Sequence, residues 1–135
     1  MPRVQLALNV SDLDEAVSFY SKLFDAEPAK LRPGYANFAL ADPPLKLVLI
    51  EDPSQAPGSL NHLGVEVAST AEVAAAQARL AAAGLPTMVE EQTACCYAVQ
   101  DKVWTAGPGG EPWEIYTVLA DADVPAASTA SGCCT

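Results

Sequence analysis

Histidine and basic side chains are the scarcest polar groups in this 135-residue sequence. There is one histidine, His62, and seven Lys or Arg stand against seventeen Asp or Glu. The resulting net charge of −10 argues against nucleic acid, whose recognition rests on neutralising phosphates, and against docking to anionic lipid. A single histidine excludes His-rich zinc sites and a site of two His and one carboxylate. Long apolar runs are missing too: the longest, such as Leu47–Ile50, are strand-sized, far short of the roughly 20 residues a spanning helix needs. Arg3, Asp12, Asp14 and Glu15 interrupt any apolar stretch that a signal peptide would require. Nor is there a disulfide framework. The four cysteines fall as two adjacent pairs, Cys95-Cys96 and Cys133-Cys134, and bridging neighbours closes a strained ring that constrains almost nothing. Thiols without a secretory signal point to a reducing compartment, so a cytoplasmic protein with no nucleic-acid or membrane partner is expected.

What the sequence does contain is a globular composition, 50% hydrophobic and 18% charged, written as an internal repeat. Val4, Leu6, Leu8 and Val10 alternate with Gln5, Ala7 and Asn9, the period of a half-buried strand. Ser11 and Asp12 stand three residues before Asp14 and Glu15 as capping pairs. Leu13, Ala16, Val17, Tyr20, Leu23 and Phe24 then recur at helical spacing. The second copy starts at His62, with Leu63, Val65 and Val67 opposed to His62, Gly64 and Glu66. It continues through an S-x-x-E box (Ser69, Glu72) into a helix over about 71–83, stopped by Gly84 and Pro86. Three strands follow each helix: 26–32, 35–41 and 45–51 in the first half, 87–91, 102–105 and 112–119 in the second. The expectation is an α+β fold in which two βαβββ modules form a curved, open barrel-like mixed sheet; a ferredoxin-like pair is the competing topology. The modules span about 3–52 and 60–120 of a single domain, 1–121, with a linker at 53–59. Residues 122–135 lack any packing pattern and read as a disordered, Cys-containing tail.

Equivalent positions of the two copies hold Gln5 and His62 in the first strands, and Lys46 and Glu114 in the last. Gln5, His62 and Glu114 offer an amide oxygen, an imidazole nitrogen and a carboxylate, a variant of the facial triad that leaves positions open on an octahedral divalent ion. Taken singly, each has a plainer reading as a satisfied or solvated strand residue. Cys95-Cys96 suits a thiophilic centre such as As(III), Cd(II) or Cu(I); the alternative is two small hydrophobes adjacent by accident. The turn Gly107–Gly110 has no helix behind it and is unsuited to phosphate.

The doubled βαβββ, Val4–Tyr20 and the ending G-P-G-G-E-P-W-E-I-Y (Gly107–Tyr116) resemble the vicinal oxygen chelate, or glyoxalase/bleomycin-resistance, superfamily over about residues 3–120. Lys30–Ile50, Leu60–Val67 (L-N-H-L-G-V-E-V) and Thr93–Trp104 (T-A-C-C-Y-A-V-Q-D-K-V-W) resemble, more narrowly, the C–As lyases. The resemblance implies that Gln5, His62 and Glu114 hold Fe(II) on the concave face and that dioxygen is co-substrate. It also implies that Cys95 and Cys96 bind the arsenic of a trivalent organoarsenical, with Lys102 near that substrate. A catalytic set of Cys95, Cys96 and Lys102, a mobile cysteine loop, and a monomer or homodimer complete the expectation. Cadmium-induced proteins share much of this pattern, which makes cadmium or metalloid sequestration the rival function.

Overall fold

The alternating segments that head the two repeats become neighbouring strands at the centre of one sheet. In a computed structural model that describes residues 2–123, β1 (Arg3–Val10) runs antiparallel to β5 (Leu60–Glu66), with Gln5 opposite Gly64 and Ala7 opposite His62. The remaining strands are β2 (Lys30–Arg32), β3 (Tyr35–Ala41), β4 (Pro44–Glu51), β6 (Met88–Cys95), β7 (Ala98–Ala106) and β8 (Pro112–Asp121). Helix α1 (Leu13–Phe24) follows β1, and α2 (Thr70–Ala82) follows β5. The order βαβββ therefore occurs twice, within a single eight-stranded sheet of order β2-β3-β4-β1-β5-β8-β7-β6. β4 lies parallel to β1, and β8 parallel to β5. The α+β class and the doubled, curved sheet agree with the sequence reading, and the ferredoxin-like alternative does not form. Apart from its first two residues, the expected tail, with Cys133 and Cys134, lies outside the described residues. Among the described residues no helix is long and apolar enough to cross a membrane.

Both helices start where their caps are written. The Asp12 carboxylate accepts from the Glu15 amide at 3.1 Å, and Ser69 Oγ accepts from the Glu72 amide at 3.3 Å. Each cap satisfies an N–H that has no partner within the helix. The apolar stripe of α1 packs on the outer face of the first half-sheet, where Leu13 meets Phe38, Leu47 and Leu49 with Leu6 and Leu8 beside them. Helix α2 buries Val73, Ala76 and Leu80 in the second half. The other face of β1 is more deeply covered than a half-buried strand implies: Gln5, Ala7 and Asn9 are buried while Val4 is 50% exposed. The polar phase of the alternation faces into the curl of the sheet, not out to solvent.

The curl is held by the β6–β7 hairpin, and here the structure departs from the sequence reading. The expected strand 87–91 runs on to Cys95, and the expected strand 102–105 begins already at Ala98. Cys95 pairs with Ala98, so the loop is two residues, Cys96 and Tyr97, with φ of 50° and 60°. Two left-handed residues suit the right-handed twist of a tight hairpin, a role usually given to Asn-Gly. For non-glycine residues that conformation costs roughly 1–3 kcal/mol each. Anchors across the barrel mouth hold it. Tyr97 Oη donates to the Pro33 carbonyl at 3.0 Å, its ring lies 5.5 Å from that of Tyr35, and its carbonyl accepts from Lys30 Nζ at 2.9 Å. A two-residue turn so anchored corrects the expectation of a mobile cysteine loop.

Tyr97→Ala deletes this buried anchor, and we expect it to lower stability by about 3 kcal/mol in urea titrations, the range for truncating a buried aromatic. A loss below ~1 kcal/mol would show that the hairpin does not hold the sheet closed.

Candidate metal and thiol site

The inner-face register places Lys46, Gln5, Gly64 and Glu114 side by side on β4, β1, β5 and β8. Gly64 is the member of that row without a side chain, and it makes the site possible. A Cβ built there would lie 2.8 Å from the Glu114 carbonyl oxygen, 2.9 Å from Glu114 Cγ and 3.3 Å from Gln5 Nε2. Gln5 and Glu114 lean together over the glycine, and His62, two residues along the same strand, completes the group. Gln5 Nε2 is 3.0 Å from His62 Nε2 and 2.8 Å from Glu114 Oε2; His62 Nε2 is 2.7 Å from the same oxygen. All three side chains are buried.

Donor atoms at right angles on a divalent ion with bonds of ~2.1 Å lie about 3 Å apart. The triangle of these three atoms has that size, so the set fits one face of an octahedral ion and leaves the opposite face open. Among the described residues no three His, Cys, Asp or Glu side chains form such a group; the third member is an amide. An amide ligates through oxygen, so Gln5 acts as a ligand with its side chain turned over. Tyr116 Oη, which donates to Gln5 Oε1 at 2.5 Å, then accepts from the NH₂ group instead. Burial, and after it the charges of Glu66 and Glu114, push the Tyr116 phenol well above its usual value, so it remains a protonated partner in either arrangement. His62 Nδ1 stands 2.7 Å from Asn61 Oδ1, Asn61 Nδ2 donates to Asn9 Oδ1, and Asn9 Nδ2 to Ser59 Oγ. This chain keeps a proton on Nδ1, so that Nε2 is the nitrogen turned to Glu114 and the one offered to a metal when it displaces the Nε2 proton.

Burial alone would raise the Glu114 carboxyl. Lys102 Nζ at 2.8 Å and His62 at 2.7 Å outweigh it and hold the group down at about 2. The Lys102 contact at Oε1 is an ion pair without hydrogen-bond geometry, which leaves lone pairs on that oxygen. Lys102 Nζ also lies 3.6 Å from Cys95 Sγ. The sulfur and the carboxylate oxygen are therefore no farther apart than those two distances together, about 6.4 Å.

Cys95 lies on β6 beyond a bulge. Glu90 pairs with Lys102 and Thr93 with Gln100, so Glu91 and Gln92 together stand opposite Asp101. Gln92 is left-handed (φ 49°) and its amide donates to Asp101 Oδ1 at 2.7 Å, while Thr70 Oγ1 donates to Oδ2 at 2.6 Å. The bulge absorbs the extra residue, and Cys95, paired with Ala98, faces inward, into a cluster with Ala7, Tyr35, Val48, Ile50 and Tyr97. Strand alternation would send Cys96 to the opposite face. Its left-handed φ instead packs it against the same cluster and on the wall of a cavity of about 190 Å³. Cys96 is disulfide-bonded, so it meets a ligand as a thiol only once that bond is reduced.

All six residues singled out in the sequence thus come together: Gln5, His62 and Glu114 in van der Waals reach of one another, Lys102 touching both Glu114 and Cys95, and Cys96 on the cavity wall. Sequence reasoning missed Asn61, Tyr116, Asp101 and the role of Gly64. A glycine inside a strand signals close backbone approach, and that cue was available; a lone Asn or Tyr gives none.

Gly64→Ala forces Gln5 and Glu114 apart. We expect at least about tenfold weaker Co(II) or Fe(II) binding in equilibrium dialysis, the scale for disturbing groups that orient metal ligands, with the circular dichroism of the fold retained. Unchanged affinity would exclude this position as the metal site. The depressed Glu114 carboxyl gives a second expectation, for metal-free protein. Its ionised form stabilises the fold above the ordinary carboxyl range of about 4.3, and the contribution is lost as pH falls through about 2. Wild type should exceed Glu114→Gln by on the order of 3 kcal/mol at about pH 6 and by far less near pH 2 in urea titrations. An equal gap at both would contradict the ion pairing.

Residues 3–115 match the model of the Glyoxalase/Bleomycin resistance protein/Dioxygenase superfamily. The chain is 62% identical over 135 residues to the trivalent organoarsenical cleaving enzyme of Thermomonospora curvata, covering 100% of this chain and 89% of that protein. It is 67% identical over 123 residues to the cadmium-induced protein CadI of Mycobacterium bovis, covering 91% and 80%. In three dimensions it resembles the Mn(II)-bound glyoxalase of Novosphingobium aromaticivorans, with a TM-score of 0.63 and 18% identity over 92% of this chain and 42% of that one, a likeness of fold. The chain belongs to the glyoxalase/bleomycin resistance protein/dioxygenase superfamily and, within it, to the group that contains the trivalent organoarsenical cleaving enzymes and the cadmium-induced proteins.

Proposed function

We propose that this protein cleaves the carbon–arsenic bond of trivalent organoarsenicals, methyl or aryl, and releases arsenite in arsenic detoxification. One observation carries the reading: a single ammonium, Lys102, touches both the sulfur of Cys95 and the carboxylate of Glu114. A soft sulfur pair, Cys96 on the cavity wall and Cys95 buried beside it, next to a hard amide–imidazole–carboxylate set can hold two different elements at once, because each prefers its own ligands. The name of the Thermomonospora curvata relative supports the choice of arsenic.

Gln5, His62 and Glu114 are the residues that would hold Fe(II), which when bound supplies the activation of dioxygen. The rest falls to the chain. Cys95 and Cys96, both reduced, exchange two hydroxyls of the arsenous centre for thiolates, with release of water, and leave the carbon substituent in the cavity. Lys102 holds Glu114 ionised in place and sets its ammonium beside the ligating sulfur. Tyr35, Val48 and Ala98 wall the cavity and limit water around the bond to be broken. For a methyl substituent the atoms balance without a further reductant. Methylarsonous acid plus one dioxygen contains the atoms of arsenous acid plus formaldehyde, the carbon being oxidised and dioxygen reduced. The small organoarsenical is the partner in this reading, the compartment is the cytoplasm, and the protein acts as a monomer or homodimer.

The relatives named as cadmium-induced favour a second reading, in which the same thiols sequester Cd(II) or a metalloid without turnover. Reduced protein loaded anaerobically with Fe(II), then given methylarsonous acid in air, should release arsenite, and Cys95→Ser should abolish release while keeping its iron. Arsenical binding without conversion at full iron occupancy would select sequestration; undiminished release by Cys95→Ser would overturn the thiol assignment.

A further inference from the structure

The cavity beside the Gln5–His62–Glu114 group collects positive charge in a chain that is strongly acidic. Four of the seven Lys and Arg residues, Arg3, Lys30, Lys46 and Lys102, line it. Two of them are matched one to one by carboxylates: Lys102 by Glu114 at 2.8 Å, and Lys30 by Asp121 at 2.7 Å. The other two share a single carboxylate. Arg3 Nη2 and Nε bind Glu66 Oε1 at 2.6 and 3.0 Å, whereas Lys46 Nζ is held only at 3.5 Å from Glu66 Oε2 and 5.3 Å over the Tyr116 ring. The Lys46 side chain is 12% exposed, so this ammonium is largely removed from water with only a share of one carboxylate, an arrangement that costs free energy unless something further compensates it. A further donor faces the same space. On β3, Asn37 Nδ2 donates to Tyr35 Oη at 3.0 Å, which leaves the phenol's own proton to be donated.

We propose that Arg3, Lys46 and Tyr35 form a subsite for an acidic group, a carboxylate or comparable oxyanion, carried on the organic substituent of the arsenical. The inference rests on the arsenical reading above and adds to it the class of substituent. With arsenic on Cys95 and Cys96 at one end of the cavity, the carbon substituent extends past Gln5 and Glu114 toward Lys46, which neighbours Gln5 on β4. An anion there completes the charge balance that Glu66 leaves open, and charge-assisted hydrogen bonds to it are among the stronger polar contacts.

Binding of phenylarsonous acid and of 4-carboxyphenylarsonous acid to reduced, metal-free protein by titration calorimetry tests this. Wild type should bind the carboxylated compound about tenfold more tightly, and the ratio of the two affinities should fall toward one in Lys46→Met and in Arg3→Gln. The second variant keeps the test decisive if burial of a methionine perturbs the fold. Equal affinities in wild type, or a preference that survives in both variants, would overturn the subsite while leaving the arsenical reading intact. Failure of both compounds to bind wild type would overturn the reading and the subsite together.

Discussion

Two strands can bring a carboxylate and an amide into contact in the interior of a protein only if the residue between them yields its space. Gly64 does so here, and the rest of the site is arranged around it. Its neighbours on either side lean inward over the bare backbone, His62 closes the triangle from the same strand, and Asn61 fixes the imidazole from behind. Three buried polar groups of unlike chemistry would otherwise be a liability, because each loses its water. The contacts among them, and with Lys102 and Tyr116, restore most of what water supplied, and a cation would restore the remainder.

The same logic explains where the few basic residues went. A chain of net charge −10 repels anions at long range, yet its inner face is where cations concentrate. Opposite charges are set there in adjacent rows: Glu114 lies against Lys102 and His62, and Glu66 against Arg3. Outer and inner faces of the sheet therefore divide the work. The outer face buries aliphatic stripes against α1 and α2 and supplies stability. The inner face gives up apolar packing for a polar interior that only a ligand completes.

The strand faces and both helix starts were legible because they follow from period-two alternation and from local capping chemistry. The two-fold repeat then placed Gln5, His62 and Glu114 on a common face before any contact was known. The hairpin at Cys96-Tyr97 was not legible, since neither residue carries the usual signal of a left-handed turn; tertiary anchors on Tyr97 impose it. The bulge at Gln92 was equally hidden, because a buried Asp101 from the partner strand and a threonine from α2 hold it, and neither is close in sequence. The long reach of the strands to Cys95 and from Ala98 follows from those same contacts.

The bulge has a consequence for how this chain can change by descent. Which side of the barrel the sulfur of Cys95 faces is set by its pairing with Ala98, and the bulge absorbs the extra residue between Glu90 and Thr93 without disturbing that pairing. Loss of a single codon at Glu91 or Gln92 would therefore regularise the sixth strand and leave the thiol on the inner face, whereas a one-residue slip between Thr93 and the hairpin tip would hand it to the outer one. In this lineage the length of the chain is tolerant at the bulge and intolerant in the three residues that follow it.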